Sequence, residues 1–275
     1  MKSKKDSFVV DLQIHLMLYK GDSFEDLLNL MVEKGIDAVA LLEYDWNRKT
    51  NLKNLIKENK EFFIEKRKKG EVEYFGNGFY FDMEGKDRFL ILGKELKIEG
   101  HHFLAPGIIS PLRSNNLEKA ADEIWAKGGI PILDHPFSDP ERSFGRLRKK
   151  KKDRILKLIQ KKKIALEYNG YCIRWVRELL FRDDPNKKVL ELGKEHNLPV
   201  VPTTDLHAET KESLKAIGTG LIKIPKEKID PKDLVFSIRK AIFDFNFTAF
   251  YRTVSFKHFF FSFGLPYLKN KLSQT

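Results

Sequence analysis

Ile130-Pro131-Ile132-Leu133-Asp134-His135-Pro136-Phe137 is the stretch on which the reading of this chain turns. A short apolar run follows the Gly128-Gly129 turn and ends in an acid, an imidazole and a proline. Apolar runs of this length, bounded by glycine and proline, read as buried parallel strands. In open and closed α/β sheets, ligands bind at the carboxyl ends of such strands. A lone histidine there is most often an ordinary hydrogen-bonding residue. The inference therefore depends on how the other strands end.

They end alike. Phe8-Val9-Val10-Asp11-Leu12-Gln13-Ile14-His15 is a largely apolar strand closing on His15. Phe89-Leu90-Ile91-Leu92-Gly93-Lys94-Glu95 runs to a carboxylate, and Gly100-His101-His102-Phe103-Leu104-Ala105 opens on two imidazoles. Leu198-Pro199-Val200-Val201-Pro202-Thr203-Thr204-Asp205-Leu206-His207 ends in an Asp-x-His pair. Strand alternation puts Asp205 and His207 on one face and lets only one of His101 and His102 face the same site. A cluster of imidazoles and carboxylates is the donor set that divalent transition metals require.

The chain has 275 residues and 41% apolar content, enough for one large α/β domain or two small ones. Its single cysteine, Cys172, excludes an internal disulfide framework and a thiolate cluster. It suits a reducing compartment, and Cys172 itself reads as packing. No signal peptide or membrane-spanning run is visible, so a soluble, cytoplasmic protein is expected. The formal charge of +12 favours an anionic partner: a phosphorylated metabolite, a nucleic acid or an acidic surface. No Walker loop, dinucleotide fingerprint or serine nucleophile elbow is present, which argues against kinases, dehydrogenases and serine hydrolases.

Ser23 is a candidate N-cap, and a helix follows until Gly35; the next strand, 38–42, ends on Glu43-Tyr44-Asp45. This is a β-α-β unit. An amphipathic helix is expected over 51–69, hairpins over 73–105, and helices over 115–127, 147–163 and 186–196. A short helix over 209–215, a strand over 216–224 and a helix over 230–243 complete the pattern. Ten aromatic residues then crowd between Phe243 and Phe263, suited to packing over the domain or into an oligomer interface. An interfacial membrane contact or base stacking is the sharper alternative.

Taken in order, Asp11-Leu12-Gln13-Ile14-His15, Glu43-Tyr44-Asp45, Glu95, His102, His135-Pro136 and Asp205-Leu206-His207 resemble the PHP (polymerase and histidinol phosphatase) family of metal-dependent phosphoesterases. Lys127-Gly128-Gly129-Ile130-Pro131 and Glu167-Tyr168-Asn169-Gly170 add local similarity. The resemblance spans 8–220. It implies an α/β fold: a distorted (β/α)7 barrel over 1–225 with metals at the carboxyl ends of its strands. Residues 226–275 would form a helical, aromatic-rich extension.

By position, the resemblance implies that His15, Glu95 and Asp205 hold a first metal, with Glu95 bridging to a second held also by His102 and His135. His207 matches a third-site ligand. His15, Glu95, His135 and Asp205 would carry catalysis. The family's pattern has histidine where this chain has Gln13, an acid where it has Lys20, and an imidazole where it has Tyr44, so the third ion is expected to be missing. One or two divalent ions (Mn, Fe or Zn) are implied as cofactors. The substrate would be a phosphorylated small molecule, a nucleotide or a nucleic acid, with Lys20, Arg142 and Arg146 as candidate phosphate contacts. Arginine's planar fork suits that role. Asp134 and Glu43 are candidates for orienting imidazoles. The competing class is a non-catalytic protein that binds nucleic acid or a phosphorylated ligand through the same pocket.

Overall fold

A computed structural model of the chain describes residues 6–16, 23–46, 52–139, 145–146, 149–170, 184–208 and 211–252. β1 (Ser7–Leu16), α1 (Ser23–Lys34) and β2 (Ala38–Tyr44) form the opening β-α-β unit, with β1 and β2 parallel. Next come α2 (Leu52–Glu58), α3 (Lys60–Lys68) and the antiparallel run β3 (Val72–Phe75), β4 (Gly78–Asp82), β5 (Asp87–Ile98) and β6 (His101–Pro106). α4 (Leu117–Ala126) leads into β7 (Ile132–Leu133), and β8 (Ser138–Asp139) pairs with β9 (Gly145–Arg146) beyond it. α5 (Lys149–Lys161), β10 (Ala165–Asn169), α6 (Pro185–Glu195) and β11 (Val200–Thr203) follow. The remainder is β12 (Leu206–Ala208), α7 (Lys211–Leu214), β13 (Gly220–Pro225), α8 (Leu234–Phe243) and β14 (Thr248–Tyr251).

The main sheet runs β11-β10-β7-β6-β5-β2-β1-β13-β14, with β12 on β1 and the β3–β4 hairpin on β5. It curls into a nearly closed barrel. Thr204 N donates to Asp11 Oδ1 at 3.2 Å, and β12, just after β11, pairs in parallel with β1, bringing the β11 edge back towards β1. Closure needs bare backbone at Gly220, where a Cβ would lie 2.1 Å from Thr203 O. β6 and β13 run antiparallel to both of their neighbours, so the sheet departs from regular βα alternation.

Period two divides each strand between two cores. Phe8, Val10 and Leu12 of β1, Ala40 and Leu42 of β2 and Ile91 of β5 fill the inner core. The alternate residues, such as Val9, Val39, Leu41 and Leu90, pack outward with α1 and α2. A third cluster seats α4, α5 and α6 on β6, β7 and β10. Leu234, Ile238 and Ile242 of α8 join the inner core with Phe8 and Ile130, residues at or just before the amino ends of their strands. The helix thereby closes the barrel at the end opposite the strand termini that bear the histidines. Burying each such aliphatic side chain is worth about 1.5–3 kcal/mol.

β1 changes parity partway along. Its register against β2 shifts between Asp11 and Ile14, so Ile14 and Leu16 join the outer core and Gln13 and His15 turn inward. Asp11 braces the bulge: it accepts from Gln13 N, Thr204 N, Gly218 N and the Thr204 hydroxyl. Burial nevertheless outweighs these donors and pushes its carboxyl up to about 6.

The expected hairpins are present. The helix expected over 51–69 is two helices, broken where Asn59 leaves helical geometry and its Nδ2 donates to Leu55 O at 2.8 Å. The strand expected over 216–224 starts at Gly220, because the backbone N–H groups of Ala216 and Ile217 turn back onto α7. The helix expected over 230–243 begins as a 3-10 turn at Pro231–Asp233, capped by Asp230, before α8 proper.

Candidate metal centre

Each strand that is apolar within the barrel ends in a polar residue at its rim. Leu42 gives way in the same alternation to Tyr44, Ile91 to Glu95, Ile132 to Asp134, Ala165 to Glu167 and Val201 to Thr203 and Asp205, whereas in β1 the bulge turns Gln13 and His15 inward after Leu12. Antiparallel pairing of β5 with β6 puts His102 opposite Lys97, on the face Lys97 shares with Glu95. His101 takes the other face. It is buried there.

Glu95 is the hub. One carboxylate oxygen, Oε2, lies 2.9 Å from His15 Nε2, and the other, Oε1, lies 2.6 Å from His102 Nδ1. The His102 contact is off the line of a hydrogen bond, so the two groups face a shared space rather than each other. Burial disfavours the Glu95 charge, but the two imidazoles overcome it and hold the carboxyl well below its ordinary range. Asp134 Oδ2 lies 3.1 Å from His135 Nε2 and 3.9 Å from His102 Nδ1. Glu95, His102, Asp134 and His135 each contribute a ligand atom, all within 4.8 Å of one another.

A second group, His15, Asp205 and His207, meets the same criterion. His15 Nδ1 donates to Leu42 O at 3.0 Å, which turns Nε2 towards Glu95 and Asp205. Burial alone would hold the His15 imidazole down; the Glu95 and Asp205 carboxylates raise it. Asp205 takes a left-handed φ of 51°, and its Oδ2 accepts from Asn169 Nδ2 at 2.7 Å. Tyr44 stacks on His15 with ring centroids 4.5 Å apart, and its hydroxyl bonds His207 Nε2. Trp46 covers the rim, 4.8 Å from the rings of both Tyr44 and His102.

Behind Asp134 stands Glu167, fully buried, accepting from His135 N and from the Thr203 hydroxyl, each at 2.5 Å. Burial drives the carboxyls of Asp134 and Glu167 well above their ordinary values, with the Glu95 charge adding to it at Asp134 and the Asp134 charge at Glu167. The rim thus holds more buried acid than its imidazoles balance. Imidazole and carboxylate atoms about 2.1 Å from one cation would lie up to about 4.2 Å apart, and the four ligand atoms here lie within 4.8 Å of one another. The residues fit a divalent metal ion.

The structure therefore brings together His15, Glu95, His102, His135, Asp205 and His207, the residues expected from sequence. It groups them differently: His207 lies with His15 and Asp205, and Asp134, expected only to orient an imidazole, joins the cluster of His102 and His135. Glu43 does not fill the orienting role expected of it. Alternation turns it away from the site, where it accepts from Lys94 Nζ at 2.7 Å and Leu52 N at 3.2 Å. Lys20 and Arg142 lie outside the described residues, as do Cys172 and the aromatic segment beyond residue 252. The backbone of Arg146 pairs with Ser138, in the hairpin just after His135. Glu167, Asn169 and Trp46 had been given no role. The signal for the first two was the inward parity of Ala165, two and four residues earlier. A cavity of about 500 Å³ lies at the other end of the strands, lined in part by Phe8, Asp37, Arg88 and Lys226, and contains none of these residues.

No protein-family model matches the sequence, and no curated protein matches it. Solved structures do. A two-domain protein from Bacteroides vulgatus, containing a predicted PHP-like metal-dependent phosphoesterase, aligns over 93% of this chain and 70% of its own, with TM-score 0.54 and 14% identity. A presumed metal-dependent phosphoesterase from Bifidobacterium adolescentis aligns over 73% of this chain and 88% of its own, with TM-score 0.42 and 11% identity. The likeness to the first is one of fold: a mixed α/β chain with a nearly closed, barrel-shaped sheet of the PHP type. Among the described residues, no helix is long and apolar enough to cross a membrane.

Proposed function

We propose that this chain is a metal-dependent phosphoesterase that hydrolyses a phosphomonoester or phosphodiester at the rim of its barrel. The observation that carries the reading is Glu95, a buried carboxylate with one oxygen towards His15 and the other towards His102, at the junction of two donor clusters. When bound, a divalent ion would polarise phosphoryl oxygens and activate water near neutral pH. Glu95, His102, Asp134 and His135 would hold it, with His15 and Asp205 alongside.

The chain's own residues fix the geometry. Leu42 O orients His15, Asn169 orients Asp205, and Glu167 pins the backbone of His135, whose φ is 25°. Such partners set ligand direction and basicity. Trp46 and Tyr44 wall the rim. Lys20, Arg142 and Arg146 are proposed to bind substrate phosphate; the β8–β9 pairing, which keeps Arg146 near the His135 turn, supports the last. The net charge of +12 suits an anionic substrate such as a nucleotide or short nucleic acid.

The test is turnover of p-nitrophenyl phosphate and bis-p-nitrophenyl phosphate after reconstitution with Mn, Fe(II) or Zn. Hydrolysis that requires metal and is lost in His135→Ala supports the proposal. A metal-loaded protein without turnover on either ester, yet able to bind phosphate or oligonucleotide, would favour the non-catalytic binding class.

A further inference from the structure

The two donor clusters differ in what already occupies them, and the difference lies in Gln13. Its carboxamide is fully buried, and its Oε1 lies 3.0 Å from the Thr203 hydroxyl oxygen. Its Nε2 donates to Asp205 Oδ1 at 2.9 Å and to Asp134 Oδ2 at 3.4 Å, and lies 3.5 Å from His15 Nε2. A carboxylate oxygen such as Asp205 Oδ1 faces the amide N–H₂ group rather than the amide oxygen, as the 2.9 Å contact shows. An amide nitrogen has no lone pair to offer a cation; what it presents to the space beside Asp205 and His15 is hydrogens.

The other ligand atoms of that cluster are engaged as well. Asp205 Oδ2 accepts from Asn169, His207 Nε2 is bonded to the Tyr44 hydroxyl, and His207 Nδ1 lies 3.1 Å from Asp205 O. In the Glu95, His102, Asp134 and His135 cluster, Gln13 reaches only Asp134 Oδ2, by the longer of its two carboxylate contacts, and His102 Nδ1 approaches Glu95 Oε1 at 2.6 Å off the line of a hydrogen bond.

We infer that this chain holds a single divalent ion, at Glu95, His102, Asp134 and His135, and that the Gln13 N–H₂ group stands in for a second cation between Asp205, Asp134 and His15. The inference rests on reading the rim as a metal centre and adds the number and position of the ion. Gln13 is then the residue that decides nuclearity. It links the acids of the two clusters by hydrogen bonds where a second ion would otherwise link them by coordination.

The experiment loads purified full-length protein with excess Mn²⁺, removes the unbound metal by gel filtration, and reads metal content by mass spectrometry and the Mn²⁺ electron paramagnetic resonance spectrum. Wild type is expected to retain one Mn per chain with the six-line spectrum of an isolated ion. His102→Ala is expected to lose it, and Gln13→His, which puts an imidazole in place of the amide, to retain two with a spin-coupled spectrum. Two ions in the wild type would overturn the inference while leaving the metal centre standing. So would a single ion that survives His102→Ala and is lost in Asp205→Ala, or a folded Gln13→His that still holds one. No ion in the wild type with Mn, Fe(II) or Zn would overturn the proposed function together with the inference. Circular dichroism checks that each variant folds; should Gln13→His not fold, the wild-type count and spectrum decide.

Discussion

Replacing Glu95 with glutamine keeps the shape of the side chain and removes its charge. In metal-free protein both Glu95 oxygens lie against imidazoles, at 2.9 and 2.6 Å, and both contacts are buried. Glutamine can accept from only one of them and presents N–H₂ to the other. Removing one partner of a buried ion pair costs about 3–5 kcal/mol, and the retained acceptor argues for the lower end, about 3 kcal/mol. At about 2–4 °C per kcal/mol for a chain of this size, the melting temperature should fall by roughly 6–12 °C.

The pH dependence has a definite sign. His15 is raised, so its contribution is fully present below the ordinary imidazole value and is lost as pH rises through its folded value. Glu95 is depressed, so its contribution is present above the ordinary carboxylate value and is lost as pH falls through its folded value. The gap between wild type and Glu95→Gln is therefore widest in mild acid, at about pH 6, and narrows towards about pH 9. Scanning calorimetry of chelator-treated protein at both pH values measures it. A variant melting within about 1 °C of wild type at the lower pH, or a gap that widens in alkali, would refute the reasoning.

Trp46 lies 4.8 Å from the His102 ring, so loading the centre should change its fluorescence, and the change should vanish in Trp46→Phe. Metal titration followed by emission checks this. Glu123 accepts from Lys127, from Ser114 and from the backbone of Arg113, in that order of effect on a carboxyl lowered to about 2. Its contribution is present above the ordinary carboxylate value and lost as pH falls towards 2; discounted for its surface position, it is about 1 kcal/mol. Glu123→Gln should lose that much stability at neutral pH and nothing in strong acid, as read by urea denaturation at each pH. Ile238→Ala removes a fully buried side chain from the helix that closes the inner core and should cost about 2–5 kcal/mol, measured by the same denaturation.

Much of the site was legible because strand alternation and strand termination are local signals. His15, Glu95, His102, His135, Asp205 and His207 each stand at the end of an apolar run, and the structure brings them to one rim. The remainder depended on geometry that no periodicity carries. The parity of β1 changes at a bulge braced by Asp11 from its contacts with Thr204 and Gly218, more than 190 residues away. Without that shift Gln13 and His15 would face outward. Asp134 becomes part of a donor cluster through distances to His102 and His135 that only the closed barrel sets. Glu43, beside a residue that does face the site, was misread for the converse reason: alternation turns it to Lys94. Gln13 could be seen to differ from a histidine, but its three-way contact with Thr203, Asp205 and Asp134 emerged only with the sheet closed.

The central claim is that the barrel rim is a divalent-metal centre. Anomalous diffraction at the manganese absorption edge, from crystals of the Mn-loaded protein, tests it most directly. The account predicts an anomalous peak among Glu95, His102, Asp134 and His135, at about 2.0–2.3 Å from a donor atom of each. Full occupancy of the crystal conditions with Mn²⁺ and no peak at that position, or a peak only at sites away from the rim, would contradict it.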